Sequence, residues 1–294
     1  MKFTHKESRI KKFLFPFYPH KCFKNSKLMM LLAALLALKI LFGFIHVKIP
    51  GINLAIGFAY VPIMICGWFF GPIIGFIFGA ISDTIGFLTH PTSVWFWMYA
   101  IVEPTIGMWS GLIHGCFYLR NKNNKTIINL VFDVFFQQIF LVGFILVCFC
   151  GLIFWSDQGK KPISSVCKIL LIILVSLYFV FMEVLTFLYL IRAKNNINQC
   201  LIFIYSTLLV TSIITVTSFL LGPISTVEYL RYINGVYPDA WVRYGMIYYL
   251  VPRIIVQCLK TPIESIVLAS LILLTQNLFD DYINNLNNRW ETDY

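Results

Sequence analysis

The sequence has little charge for its length. Asp, Glu, Lys and Arg make up 12% of its 294 residues, which is about half their share in an ordinary soluble domain. Hydrophobic residues make up 59%, and the mean hydropathy is +0.79. The apolar runs are too long for the short alternating strands of a transmembrane β-barrel. We therefore predict an all-α polytopic membrane protein.

Familiar catalytic motifs are also missing from the sequence. It contains neither the P-loop G-x-x-x-x-G-K-[ST] nor the nucleophile elbow G-x-S-x-G, so we do not expect it to hydrolyse a nucleotide itself. The eight cysteines are scattered through apolar runs, and Cys148 and Cys150 have no histidine or further cysteine at ligand spacing. We expect them to act as small hydrophobic side chains, with no metal site and no cofactor.

Eight apolar runs are interpreted as membrane-spanning helices. The second and third are short and are joined only by Gly71 and Pro72, a tight turn that makes these two spans antiparallel. The eight predicted spans cover approximately residues 28–47, 54–70, 73–89, 94–119, 127–155, 167–191, 198–222 and 245–275.

Basic residues are concentrated ahead of the first span. Eight lysines and arginines lie between Lys2 and Lys27. Because cytoplasmic segments of membrane proteins carry an excess of Lys and Arg, this predicts a cell-membrane protein with a cytoplasmic N-terminus. With an even number of spans, eight, the C-terminus is predicted to be cytoplasmic as well. No small-residue cleavage site follows the first apolar run, so we interpret that run as a retained span and not as a signal peptide.

Four charged residues in four different spans are predicted to lie at a similar depth. With a rise of ~1.5 Å per residue, each lies roughly 9 to 13 Å below the outer end of its span. Charges inside spans are costly and mark a function or a paired contact. The layer is either a polar cavity open to the outside or a set of ion pairs, such as Arg253 with Asp83, that pin helices together; both can hold. The four residues are Lys39, Asp83, Glu103 and Arg253.

One of these charges continues a series of glycines. Gly75, Gly79 and Asp83 are four residues apart, so they lie along one face of a helix. Small residues on a common face let membrane helices approach closely. We therefore expect Asp83 to point into the bundle, at the outer end of a close helix–helix contact.

The first span has a small-residue strip on a different face. Ala33 and Ala37 are four residues apart, and Lys39 lies 200° round the helix from Ala37. If Lys39 faces the cavity, the alanine strip faces outward and is free to meet another membrane protein. The alternative is that these are ordinary alanines of a transmembrane helix.

The segment from Gly222 to Tyr244 differs from the other connections. It is long, contains both charge signs and is rich in Tyr and Trp. These aromatic residues are typical of the interface between membrane and water. The alternative is a lid over a binding site.

Three stretches of the sequence resemble a known family. They are GFAYVPIMICGWFFGPIIGFIFGAISDTIGFLTHPTSVWF, GLIHG and VPRIIVQCLKTPIESIVL. They are similar to the substrate-binding S component of energy-coupling-factor (ECF) transporters, and most similar to its folate-specific group. The resemblance covers residues 28–119 and 198–275.

The resemblance implies a six-helix core, because such S components have six helices. The two extra spans would then form an inserted hairpin, which we expect to be peripheral. This divides the chain into a basic cytoplasmic tail, the first four core spans, the inserted hairpin, the last two core spans with a long outer loop, and a cytoplasmic C-terminal tail. The boundaries are 1–27, 28–125, 126–194, 195–276 and 277–294.

The resemblance also implies a function and partners. An S component captures a vitamin outside the cell and docks against a transmembrane coupling subunit that is driven by two ATPase subunits; it is not itself an enzyme. Ala33 and Ala37 would correspond to the alanine motif that contacts the coupling subunit. Folate or a related pterin is the expected vitamin. Glu103 with Pro104, and the stretch TVTSFLLG, depart from the family pattern, so riboflavin or another heterocycle is the alternative.

A pterin suggests particular contacts. Its adjacent N–H and amino groups suit a carboxylate from Asp83 or Glu103, and its ring suits stacking on an aromatic side chain. The remaining predicted binding residues are Trp97 and Tyr60 for stacking, Arg243 and Lys48 at the mouth for the anionic tail, and Arg253 and Lys39 deeper. The competing classes are an intramembrane lipid-modifying enzyme and a membrane scaffold.

Overall fold

The computed structural model describes residues 26–48, 55–89, 94–121, 127–155, 165–193 and 196–292. This part of the chain is almost entirely helical. Six of its helices are long and apolar enough to cross a membrane. The prediction of an all-α polytopic membrane protein is therefore confirmed.

The elements follow the chain in this order. The first half contains α1 (Ser26–Phe44), β1 (His46–Lys48), β2 (Ala55–Gly57), α2 (Val61–Phe70), α3 (Pro72–Thr89), α4 (Trp97–Ala100) and α5 (Val102–Asn121). The second half contains α6 (Ile127–Trp155), α7 (Ser165–Ala193), α8 (Ile197–Ile214), a π-helical segment (Thr215–Leu221), α9 (Gly222–Asn234), α10 (Asp239–Tyr244) and α11 (Ile247–Thr292).

Two short strands lie between α1 and α2. They pair antiparallel, with Val47 opposite Ile56. The predicted second span, 54–70, therefore begins as a strand, and its helix begins only at Val61, with Pro62 in the first turn where proline fits. At ten residues α2 is half the length that spans a bilayer.

The helices α2, α3 and α5 pack backbone against backbone. A Cβ atom on Gly75 would lie 2.8 Å from the carbonyl carbon of Gly107 and 2.9 Å from Cα of Gly67. One on Gly79 would lie 2.6 Å from Cα of Pro104. No side chain larger than glycine fits at these crossings, so the close approach predicted for the glycine series is confirmed. The turn between α2 and α3 is made by Gly71, whose φ of 89° favours glycine.

The helix α8 lies at the centre of the bundle. Cys200–Ile214 are all buried, including Ser206 and Thr207 with no exposed surface. A helix that is apolar all round needs neighbours on every side, and α8 packs against α5, α6, α7 and α11. The indole N–H of Trp109 on α5 donates to Ser212 at 2.9 Å.

The hairpin formed by α6 and α7 packs on α8 and α11. Its buried face carries polar contacts: the hydroxyl of Tyr205 donates to Asp133 at 3.0 Å, and the amide of Gln137 donates to Thr186 at 3.2 Å. The opposite face is apolar and exposed; examples are Phe135 and Leu177, each 62% exposed. The hairpin thus covers one side of the bundle.

The segment 222–244 is helical, which corrects its prediction as a loop. The π-helical segment runs from α8 directly into α9, so one continuous path covers 197–234. Gly235, with φ of 73°, ends α9, and α10 follows. The predicted fourth span, 94–119, is likewise broken at Ile101 into α4 and α5.

Candidate ligand-binding cavity

A cavity of about 440 Å³ lies at one end of the bundle, which we call the cavity end. This volume is in the range of small-molecule sites. Its walls come from α1, the connection between β2 and α2, α3, residues 94–100, α5 and α11. The lining side chains that bear on its chemistry are Lys39, Phe42, Tyr60, Asp83, Phe87, Trp95, Phe96, Tyr99, Glu103 and Lys260.

The ammonium group of Lys39 makes two close contacts with protein groups. Its Nζ lies 3.0 Å from Oε1 of Glu103 and donates to the backbone carbonyl of Ser82 at 2.7 Å. The hydroxyl of Ser82 donates to the other carboxylate oxygen of Glu103. These contacts join α1, α3 and α5, so the pair matches the interpretation of buried charges as pins between helices.

The side chain of Asp83 is placed differently from that of Glu103. Asp83 is half-buried, lines the cavity and interacts with Trp95. Glu103 is held against α3, because the backbone of α5 at Glu103 contacts the backbone of α3 at Gly79. Of the two carboxylates, Asp83 is the one free to meet a ligand.

A second lysine, which the sequence analysis did not select, reaches the cavity from α11. Lys260 is 6% exposed, and its Nζ lies 3.4 Å from Oε2 of Glu264 and 5.0 Å from the ring centre of Tyr60. Glu264 has no exposed surface. Among the described residues, the cavity is therefore lined by two ammonium and two carboxylate groups, and one of these four residues, Lys260, was not in the predicted set.

Arg253 is not among the residues that line the cavity, unlike the other three charged residues of the predicted layer. Its guanidinium donates to the carbonyl of Gly222 at 3.1 Å and to the hydroxyl of Thr226 at 2.8 Å. It also fills the space that a side chain on Gly222 would need. The suggested pair with Asp83 does not form; Arg253 fixes the start of α9 instead.

Of the predicted aromatic contacts, Tyr60 lines the cavity and Trp97 does not. Trp97 is 58% exposed at the start of α4. The chain is extended just before it, and that segment turns Trp95 and Phe96 to the cavity in its place. The side chains of the remaining two predicted residues, Lys48 and Arg243, lie outside the described part of the structure.

Aromatic side chains form a second layer over residues 94–100. The ring of Phe96 lies 5.7 Å from that of Tyr229 and 5.9 Å from that of Tyr232, both on α9. The hydroxyl of Tyr99 donates to Thr226 at 3.1 Å. The helix α9 thus supports the cavity wall from behind and does not itself line the cavity.

The alanine strip of α1 has the orientation that its spacing predicted. Ala33 and Ala37 are exposed, whereas Lys39 is buried. The strip is therefore on the surface of the single chain; its contact with a partner stays a prediction. Among the described residues, no three His, Cys, Asp or Glu side chains come together as a metal site.

These features define a multi-pass α-helical membrane protein with a ligand-sized cavity at one end. The family described as the substrate-specific component of ECF transporters matches residues 27–181, more than half of the chain. The chain belongs to this family. The matched range runs through α6 and ends within α7.

Three relatives were found among known proteins. The uncharacterized protein MG313 of Mycoplasma genitalium is 32% identical, and the MG313 homolog of Mycoplasma pneumoniae 27% identical; each match covers 95% of this chain and all of the relative. The folate transporter FolT of Clostridium novyi is 30% identical over 100 residues, which are 34% of this chain and 55% of that protein. No solved structure matches the chain.

Proposed function

We propose that this chain is the vitamin-binding subunit of an ECF-type importer and that its vitamin is folate or a related pterin. The observation that carries the proposal is the cavity, in which the half-buried carboxylate of Asp83 lies among aromatic side chains. Family membership supports a transporter subunit that binds a substrate. The partial similarity to a folate transporter supports the pterin.

The chemistry of a pterin suits Asp83. The adjacent ring N–H and amino group donate two parallel hydrogen bonds, and a carboxylate accepts both. Trp95, Phe96 and Tyr60 offer flat faces for the ring. Because Glu103 is already paired with Lys39, the structure favours Asp83 over Glu103 for this role.

The proposal includes the orientation and the partners. The cavity end faces outward, both termini are cytoplasmic, and the alanine strip of α1 docks on the coupling subunit, which two ATPase subunits drive. The hairpin of α6 and α7 is proposed as a peripheral insertion on a six-helix core. Its helices pack on α8 and α11, and none of the residues around the cavity comes from it.

Titration of the purified protein with folic acid tests the ligand. Replacing a carboxylate that accepts a donor pair in a buried site costs roughly 1–3 kcal/mol, or about 10- to 100-fold in affinity. We expect Asp83→Asn to lose this much, measured by isothermal titration calorimetry in detergent. Asp239→Asn, an exposed acid on α10, is the matched control and should bind as the wild type does.

Two outcomes would contradict the proposal. If the wild type bound neither folic acid nor pterin, the assignment of folate or a related pterin as the ligand would be overturned. Failure of the tagged chain to bring down ATPase subunits from its own membranes, under conditions that keep it folded, would overturn the role in an ECF-type importer.

A further inference from the structure

The two lysines of the cavity are in different states. Lys39 has a carboxylate at 3.0 Å and a carbonyl at 2.7 Å. An ammonium group has three donors. Two of those of Lys39 are directed to α3 and α5 at close distances, so the residue joins these helices.

The contacts of Lys260 are longer. Its distance of 3.4 Å to Glu264 exceeds the 2.7–2.9 Å that is typical of a charged N–H···O contact. Its other contact is the face of Tyr60, at 5.0 Å, which attracts a cation without accepting a conventional hydrogen bond. Neither carboxylate oxygen of Glu264 has a hydrogen-bond partner in the described structure, so the ammonium of Lys260 is held less closely than that of Lys39. Lys260 is also 94% buried at the cavity, where little water competes for its donors.

This difference determines which charged groups at the cavity are available to a ligand. Lys39 and Glu103 neutralise each other in a close pair. Among the described residues at the cavity, the charged groups without a close partner are the carboxylate of Asp83 on α3 and the ammonium of Lys260 on α11, whose pair with Glu264 is longer at 3.4 Å. A ligand complementary to both has hydrogen-bond donors in one place and an acidic group in another, with a flat ring between.

We propose that Lys260 binds the acidic group of the ligand and that the ligand is therefore a heterocyclic carboxylate. This deepens the proposed function, since it assigns a residue and a substrate class to the same cavity. The ring of Tyr60 attracts the ammonium and keeps it at the cavity. Glu264 orients the ammonium from the side away from the cavity.

The test uses pairs of compounds that differ by the acid. The pairs are pterin-6-carboxylate with pterin, and nicotinate with nicotinamide. Affinities are measured by calorimetry for the wild type and for Lys260→Met in detergent. The double variant Lys260→Met/Glu264→Gln removes both charges, so it stays informative if the single variant, with an unpaired Glu264, fails to fold. Lys168→Met, on α7 and away from the cavity, is the control.

We expect the wild type to bind the acid of a pair about 10- to 100-fold more tightly than the neutral compound. Both Lys260 variants should lose this preference, and Lys168→Met should keep it. Equal binding of pterin and its acid, or a preference that survives in the Lys260 variants, would overturn the inference and leave the proposed function standing.

The experiment also distinguishes the case in which the pterin assignment fails and the role of Lys260 stands. Binding of nicotinate with a Lys260-dependent preference, but of neither pterin, would overturn the pterin assignment and support the inference. Binding of neither folic acid nor any of the four compounds would overturn both.

Discussion

The helices around the cavity and the hairpin of α6 and α7 are held to the bundle in different ways. Around the cavity, α3 and α5 touch through glycine backbones, with no side chain between Gly75 and Gly107. The hairpin is held by side chains: Tyr205 donates to Asp133, and the ring of Phe144 lies 5.1 Å from that of Phe219. A backbone contact has no rotamers to adjust, whereas a side-chain contact can repack.

This difference indicates where the molecule needs a fixed geometry. The glycine contacts set the distance between α3 and α5, which carry Asp83 and Glu103. Binding sites require their groups to be held within a fraction of an ångström. The described residues of the hairpin contribute nothing to the lining of the cavity. Substitutions should therefore be tolerated much better in the hairpin than at the glycine contacts.

The largest effect is expected from filling a glycine contact. Gly75→Leu places a side chain where the Gly107 backbone lies, so α3 and α5 must separate, and we expect little folded protein. Gly143→Leu on α6 is the matched control, because a Cβ there has no neighbour within 4 Å. Monodisperse yield by fluorescence size-exclusion chromatography measures both. Equal yields would show that the two regions do not differ.

The next effect concerns transport and not folding. Ala33→Trp fills the exposed strip of α1 and should abolish vitamin uptake while folic acid binding remains, because the strip faces away from Lys39. Leu177→Trp, on the exposed face of the hairpin, is the control and should transport normally. Uptake in whole cells and binding in detergent are the two measurements. If binding failed while the complex still assembled, the role of the strip would be wrong.

A smaller effect separates the two carboxylates of the cavity. Glu103→Gln leaves the ammonium of Lys39 buried without its counter-charge, which costs roughly 3–5 kcal/mol of stability. Asp83→Asn removes no such pair and should lower affinity instead. The midpoint temperature of thermal unfolding in detergent should therefore fall sharply for Glu103→Gln and little for Asp83→Asn. The reverse order would mean that Asp83 holds the helices and Glu103 meets the ligand.

The smallest effect on ligand binding is expected from deletion of the hairpin. A variant without residues 126–194 exposes the faces of α8 and α11 that the hairpin covers, so its stability should fall. The cavity walls remain, and folic acid affinity should change by less than about tenfold, or 1.4 kcal/mol. Complete loss of binding by a variant that remains monodisperse would show that the hairpin shapes the site.

The sequence was sufficient for features that depend on apolar length and small-residue spacing. All eight predicted spans contain a helix, and the series Gly75 and Gly79 lies at a close contact as predicted. The partner glycines, Gly107 and Gly111, also lie four apart. That spacing was a signal in the sequence for the other side of the contact.

Depth along a span was insufficient to place the charges. Arg253 and Lys260 are seven residues apart on α11 and lie on nearly the same face, with Lys260 about 10 Å further along the helix. The cavity reaches Lys260, while Arg253 meets the start of α9. Where a cavity ends depends on which helices surround it, and a depth estimate for one helix does not contain that information.

Local backbone conformation explains the exchange of Trp97 for Trp95. A continuous helix from residue 94 was predicted, but the chain is extended at 94–96 and forms only one helical turn before Ile101. Residues 94–96 therefore do not follow the 100° step of a helix, and Trp95 and Phe96 both line the cavity. A short apolar run does not distinguish extended chain from helix.

The ion pair of Lys39 with Glu103 has a consequence for the rotation of α1 about its own axis. Turning the helix by one residue, or 100°, would carry the ammonium away from both Glu103 and the carbonyl of Ser82. No other charged side chain of α1 is buried among its described residues. One lysine inside the bundle thus fixes the azimuth of α1, and with it the direction in which Ala33 and Ala37 face the surrounding membrane.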